Sequence, residues 1–135
     1  MNRLIGIVTG EPRSINSEII VKAWQKKKGT KNIFLIGNYS IFKKQILKLG
    51  ITIPLIKINK LEDFRREKKL FILDVPLKYK SIFNARSSNI KAYIFKSLSI
   101  AHNLAINNKI IGFINAPIDK KIFNNKYLGV TEYLS

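Results

Sequence analysis

Residues 110–121 read IIGFINAPIDKK, and this stretch decides the fold class. The apolar run from Ile110 to Ile114 is typical of a buried strand, and polar residues follow it directly. Open α/β sheets bind their ligands just beyond the carboxyl ends of parallel strands. The segment that begins at Asn115 therefore predicts a ligand site at the end of a buried closing strand.

Working outward, the rest of the chain alternates between strand-like and helix-like segments. Apolar runs predict strands over residues 3–9, 32–37 and 70–75, with an extended stretch over 51–58 whose Pro54 suits a sheet edge. Apolar residues at helical spacing predict three helices. The first runs from Asn16 or Ser17 to the glycine at position 29, the second from Tyr39 to Gly50, and a long third one from Ile90 to the Asn107-Asn108 turn. One face of the first helix carries Ile19, Ile20, Ala23 and Trp24.

This alternation predicts the architecture. Strands that alternate with amphipathic helices form parallel βαβ units with right-handed crossovers. We expect an α/β fold whose mostly parallel sheet has flanking helices. The charged run over residues 60–69 is predicted to be a solvated loop or a surface helix, and residues 76–85 are expected to be irregular.

Length and composition exclude several classes of protein. A chain of 135 residues is long enough for one domain at most. Its hydrophobic content of 46% is too high for a disordered chain. No apolar run reaches the roughly 20 residues that a membrane-spanning helix needs. The first residues lack a signal-peptide cleavage site, and there is no cysteine. We expect a cytoplasmic protein without disulfides and without a membrane partner.

The net charge of +17 raises the question of nucleic-acid binding. The positive charge is mostly lysine and is scattered over every segment, with few arginines to contact phosphates in bidentate fashion. The chain is rich in Ile, Lys and Asn together, which A/T-rich codons encode. The scatter favours a compositional origin over a nucleic-acid surface.

Three segments combine residues that could bind a ligand. Residues 9–19, TGEPRSINSEI, join a strand to a helix amino terminus, whose unpaired N–H groups suit an anion, although an ordinary βα turn with a polar cap is the simpler explanation. Residues 115–121, NAPIDKK, place Lys120 near a strand end, and residues 129–133, GVTEY, put a hydroxyl beside a carboxylate. Taken singly, a surface lysine and a helix cap are the simpler explanations of the second and third segments.

The remaining chemistry-bearing residues are few. His102 is the only histidine, lies mid-helix and is expected to be partly buried and hydrogen-bonded, without a metal. Four of the eight carboxylates are predicted to lie near strand ends: Glu11, Asp74, Asp119 and Glu132. Their spacing identifies no Ser/His/Asp set, so no catalytic residue is assigned.

Together the three segments resemble the amino-terminal part of the 4-hydroxythreonine-4-phosphate dehydrogenase family, which acts in vitamin B6 synthesis. The family opens with a strand and GEPAGIGPEI, and this chain has GEPRSINSEI. Later the family has TAPINK or TGPxxK, a helix and GHTE, and this chain has NAPIDK and GVTE. The order and structural context agree over essentially all 135 residues, whereas family chains are more than twice as long. The resemblance implies that the sequence, residues 1–135, is a single amino-terminal α/β portion, or fragment, of a longer two-domain dehydrogenase.

The resemblance also implies chemistry that composition does not. The family fold is like that of isocitrate and isopropylmalate dehydrogenases, homodimeric, with the active site between domains. Its enzymes oxidise a secondary alcohol of a small phosphorylated substrate with NAD, and decarboxylation then gives an amino-ketone phosphate. A divalent metal (zinc, magnesium or cobalt), held by histidines, polarises the reacting oxygen.

Site residues carry over only where the motifs match. Thr131 keeps the threonine of GHTE and Lys120 keeps the lysine of TAPINK, so both are expected to bind substrate. The histidine of GHTE is Val130 here, which cannot donate a hydrogen bond and leaves the substrate's identity open. Two glycines of the first motif are Ser14 and Asn16, so that turn is expected to be rebuilt.

We expect this 135-residue chain alone to be inactive and to bind neither NAD nor metal fully, because the family's metal histidines and most NAD contacts lie beyond the matched part. Two alternatives stay open. One is a small basic α/β binding module for phosphorylated ligands or nucleic acid. The other is a remnant without function.

Overall fold

The computed structural model describes residues 3–27, 31–78 and 87–116. The strands are β1 (Ile5–Val8), β2 (Ile33–Gly37), β3 (Leu55–Ile58), β4 (Leu70–Asp74) and β5 (Gly112–Asn115). The helices are α1 (Asn16–Lys26), α2 (Tyr39–Lys48) and α3 (Ser87–Ile106), with a short 3-10 helix at Leu61–Asp63.

The five strands form one sheet in the order β3-β4-β2-β1-β5, and all four pairings are parallel. The predicted α/β class with flanking helices is confirmed. The chain moves one way along the sheet through α1 and α2, and the opposite way through α3. Right-handed crossovers therefore place α1 and α2 on one face and α3 on the other.

The α3 face is closed by a continuous apolar core. Along β2, Phe34 and Ile36 point to this face because side chains alternate along a strand, and neither is exposed. They meet one apolar side of α3, which the predicted helical spacing identified. The buried residues of α3 in this core are Ile90, Tyr93, Ile94, Leu98 and Ala101.

The other face is covered by α1 and α2 over β2 and β4. Leu35 and Ile72 point into this second core, where they meet residues of both helices. Those helix residues are Ile20, Val21, Trp24, Phe42 and Ile46. Of the predicted α1 face, Ile20 and Trp24 are buried, whereas Ile19 is 51% exposed and Ala23 is exposed as well. The prediction for Ile19 was wrong because no described helix lies beside α1 on its β5 side.

The closing strand also differs from the prediction. We predicted a buried strand over residues 110–114, but β5 spans Gly112–Asn115 and lies at the edge of the sheet. Ile114 is 60% exposed, whereas Ile110 is buried against the α3 core. An apolar run does not distinguish a central strand from an edge strand, because burial depends on which elements pack over it.

Helix ends follow local sequence signals. Gly50 has a φ of +72° just after α2, and Asn108 has a φ of +57° just after α3. Both are conformations that glycine and asparagine tolerate better than other residues. Leu49 lies within the span predicted for the second helix, but it is the residue just after α2 and is 45% exposed.

Two further predictions are confirmed in part. The charged run over residues 60–69 is an exposed connection holding only the short 3-10 helix, and β3 with Pro54 before it is an edge strand. Of the segment expected to be irregular, residues 79–85 lie outside the described residues. Across the described ranges, no helix has both the length and the hydropathy that a bilayer span requires.

Candidate functional site

The candidate site lies at the carboxyl edge of the sheet. Val8 is in register with Ile36 on one side and with Asn115 on the other, and Gly37 is in register with Asp74. The ends of β1, β2, β4 and β5 therefore meet at one edge. This is where parallel α/β sheets place their ligands, so the predicted location agrees with the topology.

The loop after β1, residues 9–16, is tied down at both ends. Gly10 has a φ of +75°, so the first bend uses a conformation that suits glycine. Asn16 Nδ2 donates to the Thr9 carbonyl at 3.0 Å and so joins the start of α1 to the end of β1. Ser14 Oγ accepts from the Asn16 N–H at 3.1 Å and donates to the Glu11 carbonyl at 2.6 Å. The residues that replace the family's two glycines hold this turn together.

Glu11 and Arg13 form a local pair at the outer side of the loop. Glu11 Oε1 accepts from the Arg13 backbone N–H at 3.1 Å and from its Nε at 3.3 Å. The Arg13 side chain is 38% exposed, so solvent weakens this ion pair. The pair therefore fixes the local conformation of the loop and adds little to the free energy of folding.

Behind the loop lies a buried polar cluster. The Tyr93 hydroxyl, brought by α3, accepts from the Asn38 N–H at 2.8 Å and lies 3.1 Å from Thr9 Oγ1. Burial raises the pKa of the Tyr93 phenol above its ordinary value of 10.0, and the hydrogen bonds to Thr9 and Asn38 oppose that rise. The phenol is therefore protonated near neutral pH and can donate to Thr9 while it accepts from Asn38.

Asn38 and Asp74 secure the neighbouring strand ends. Asn38 Oδ1 accepts from the Ile41 N–H at 3.0 Å and caps α2, and its Nδ2 donates to the Val75 carbonyl at 3.0 Å. Asp74 Oδ1 accepts from the Tyr39 N–H at 2.9 Å, at the amino terminus of α2 where the helix dipole favours a carboxylate. Asp74 thus supports the start of α2, and its other oxygen, Oδ2, lies 3.9 Å from Lys57 Nζ.

The loop leaves no substrate-sized space beneath itself. The cavity between it and the buried polar cluster is about 10 Å³, which is about the volume that one water needs. Gln45 of α2 also packs against the loop, where its Nε2 donates to the Pro12 carbonyl. A substrate would therefore have to lie on the outer side of the loop.

A larger opening lies beside β5 on the α1 face. This groove, which we call the β5 groove, has a volume of about 410 Å³ and mostly apolar walls. Trp24 lines it, and the buried Trp24 Nε1 has no hydrogen-bond acceptor among the described residues. The other apolar residues of its walls are Ile7, Ile19, Ile20, Ala23, Ile33, Ile114 and Ala116.

The structure treats the predicted site residues unequally. Lys120, Val130 and Thr131 lie outside the described residues, as do Asp119 and Glu132, so their predicted roles stay predictions. Glu11 and Asp74 do reach the carboxyl edge, as predicted. His102 is half-buried on α3 as predicted, but the expected hydrogen bond is missing, since its ring makes none with the part of the chain that the structure describes.

Three residues of this edge, Tyr93, Gly37 and Asn38, are not identified as site residues from the sequence. Tyr93 only falls within the helix predicted from Ile90, Gly37 only ends the strand predicted over residues 32–37, and Asn38 only precedes the helix predicted from Tyr39. The one available signal was the polar tip of Tyr93 within an otherwise apolar stripe, because a buried tyrosine usually finds a hydrogen-bond partner.

Comparison with known proteins gives this geometry a context. The chain matches no protein-family model. It is 29% identical over 139 residues to the 4-hydroxythreonine-4-phosphate dehydrogenase of Aquifex aeolicus (strain VF5), covering 100% of this chain and 42% of the relative. It is also 29% identical over 137 residues to the enzyme of that name from Hydrogenobaculum sp. (strain Y04AAS1), covering 98% and 43%.

The chain is similar to the amino-terminal portion of 4-hydroxythreonine-4-phosphate dehydrogenases. A crystal structure of such a dehydrogenase from Burkholderia phymatum superposes with a TM-score of 0.82 at 22% identity, over 99% of this chain and 43% of that one. The resemblance seen in the motifs and the predicted fold class are both confirmed. The chain spans less than half the length of the dehydrogenases that it matches.

Proposed function

We propose that this chain is the amino-terminal α/β portion, residues 1–135, of a longer two-domain NAD-dependent dehydrogenase of this type. Its substrate would be a small phosphorylated hydroxy amino acid, and its product would serve pyridoxal phosphate synthesis. The observation that carries the proposal is the match over the whole chain to dehydrogenases, with GEPRSINSEI at the turn from β1 to α1. The resemblance further supports a cytoplasmic homodimer.

The part of the chain that the structure describes does not fit the family's divalent metal. No group of three His, Cys, Asp or Glu side chains in those ranges could hold an ion. The strand-to-helix turn after β1 has Gly10 as its only glycine and so lacks the glycine-rich pattern of a dinucleotide site. We therefore assign no metal ligand and no NAD contact, and we derive no chemical step through either group.

This chain would contribute a rigid loop at the carboxyl edge of the sheet, and the substrate would lie against that loop. The loop over residues 9–16 is held from behind by the buried polar cluster and from the side by Gln45 of α2. The positive end of the α1 helix dipole favours an anion such as a phosphate. Lys120 and Thr131, by their place in the family motifs, would complete the substrate contacts.

Turnover is the first test. With NAD, a divalent metal and 4-hydroxythreonine-4-phosphate, we expect the isolated 135-residue chain to form no NADH, while the Aquifex aeolicus relative serves as the positive control. Robust NADH formation by the isolated chain would show that the proposed need for further polypeptide is wrong.

Substrate binding by the chain itself gives a second test. We expect Val130→His to tighten binding of the phosphorylated substrate, because it restores a donor worth about 1–3 kcal/mol, or roughly 5- to 150-fold in affinity. Val130→Leu is the matched control and should leave affinity unchanged. Titration calorimetry checks both variants. Equal affinities for the two would contradict the role that the resemblance gives to this position.

A further inference from the structure

The Tyr93 hydroxyl joins three parts of the fold that are far apart in sequence. It comes from α3 on one face of the sheet and lies between the ends of β1 and β2. Its partners, Thr9 and Asn38, are 84 and 55 residues away along the chain. Both contacts of the hydroxyl are buried, so bulk solvent competes poorly with either partner.

Gly37 makes room for this contact. A Cβ at that position would lie 2.2 Å from Thr9 Oγ1 and 3.0 Å from the Tyr93 hydroxyl. A larger residue at position 37 would therefore force the Thr9 side chain to move. The glycine at the end of β2 and the tyrosine on α3 form one arrangement.

From Thr9 the connection reaches the loop. The Thr9 N–H donates to the Ile36 carbonyl at 3.1 Å, which fixes the residue against β2. The Thr9 carbonyl accepts from Asn16 Nδ2, so the first residue of the loop and the first residue of α1 are joined. The side chain of Thr9 is held by Tyr93 at the same time.

We propose that Tyr93 is a positioning residue, whose hydroxyl fixes Thr9 and Asn38 and thereby sets the loop over residues 9–16 at the carboxyl edge. The importance of this loop for a phosphorylated substrate rests on the proposed function. The positioning itself depends only on the contacts of Tyr93. It acts through Thr9 and is not itself a catalytic residue.

Hydrogen exchange on Tyr93→Phe tests the proposal, because phenylalanine keeps the ring in the α3 core and removes only the hydroxyl. We expect the amides of Thr9, Asn16 and Asn38 to exchange at least about tenfold faster, relative to those of Phe71 and Ile72 in β4. A purely structural loss of stability would speed both groups of amides by the same factor. A uniform change, or none, would overturn the proposal.

Two further variants keep the result unambiguous. Tyr39→Phe removes a hydroxyl of the same kind away from the cluster and should leave the ratio of exchange rates unchanged. If Tyr93→Phe fails to fold, Thr9→Val removes the other end of the contact while Asn38 keeps its acceptor. Thr9→Val should then speed hydrogen exchange at the amides of residues 9 and 16 and leave exchange at the Asn38 amide unchanged. Any other pattern overturns the proposal. None of these readouts uses turnover, so an inactive chain does not affect the outcome.

Discussion

Two regions of the sheet, its carboxyl edge and the side of its edge strand β5, are packed in different ways. At the carboxyl ends of β1, β2 and β4, each strand end is joined by hydrogen bonds to a helix, and the cavity beneath the loop over residues 9–16 is about 10 Å³. Beside β5, by contrast, the β5 groove is about 410 Å³ with apolar walls. The first region is fixed by specific polar contacts, whereas the second has apolar surface and few contacts. Substitutions should therefore be costly in the first region and cheap in the second.

The largest contrast is expected between two apolar side chains. Leu98→Ala removes a fully buried side chain from the α3 core and should lower the free energy of unfolding by about 2–5 kcal/mol. Ile114→Ala, in a residue that is 60% exposed, should change it by less than about 0.5 kcal/mol. Urea unfolding of both variants measures the difference. A cost above about 2 kcal/mol for Ile114→Ala would mean that the β5 groove is covered in solution.

A pair of glycines sharpens the comparison. Gly37→Ala would push a Cβ against Thr9 and Tyr93, and we expect a loss of about 1–3 kcal/mol. Gly112→Ala meets nothing within 4 Å on β5 and should be neutral or slightly stabilising. Thermal unfolding followed by circular dichroism checks the pair. Similar melting temperatures for the two variants would contradict the close packing at Gly37.

Asn38 gives a smaller effect at the same edge. Asn38→Ala removes the cap of α2 and the hydrogen bond to Val75, so we expect a loss of about 1–2 kcal/mol. Asn38→Asp keeps the capping oxygen and should recover part of the loss. Urea unfolding distinguishes the two variants. If aspartate recovers nothing, the capping contact contributes little.

The smallest expected effect concerns pH. An exposed tyrosine in the unfolded chain ionises near its ordinary pKa of 10.0, whereas burial raises the pKa of Tyr93 in the folded state. Above pH 10.0 the unfolded state then binds fewer protons than the folded state, so this contribution to stability falls as pH rises toward the folded pKa.

Comparison with Tyr93→Phe isolates this term, because the variant cannot ionise. The stability advantage of the unsubstituted protein over Tyr93→Phe should be constant below about pH 9 and should shrink above the ordinary pKa of tyrosine. Urea unfolding at a series of pH values measures it. An advantage that grows with pH would reverse the sign of the argument.

Much of the fold could be predicted from local patterns. The alternation of strands and helices predicted the parallel class. Gly50 and Asn108, residue types that tolerate a positive φ, marked the ends of α2 and α3. The motifs also identified the family likeness that the comparisons support. These features depend on a few neighbouring residues, so the sequence contains them directly.

The sequence by itself thus determined the α/β class, the helix ends and the place of the candidate site at the strand ends. Only the tertiary structure decided that β5 is an edge strand, that Ile114 is exposed and that Tyr93 lies behind Thr9. The physical reason is the separation along the chain of the residues that make these contacts. Strand order and the meeting of residues 84 apart depend on how whole elements pack, and no local spacing encodes that.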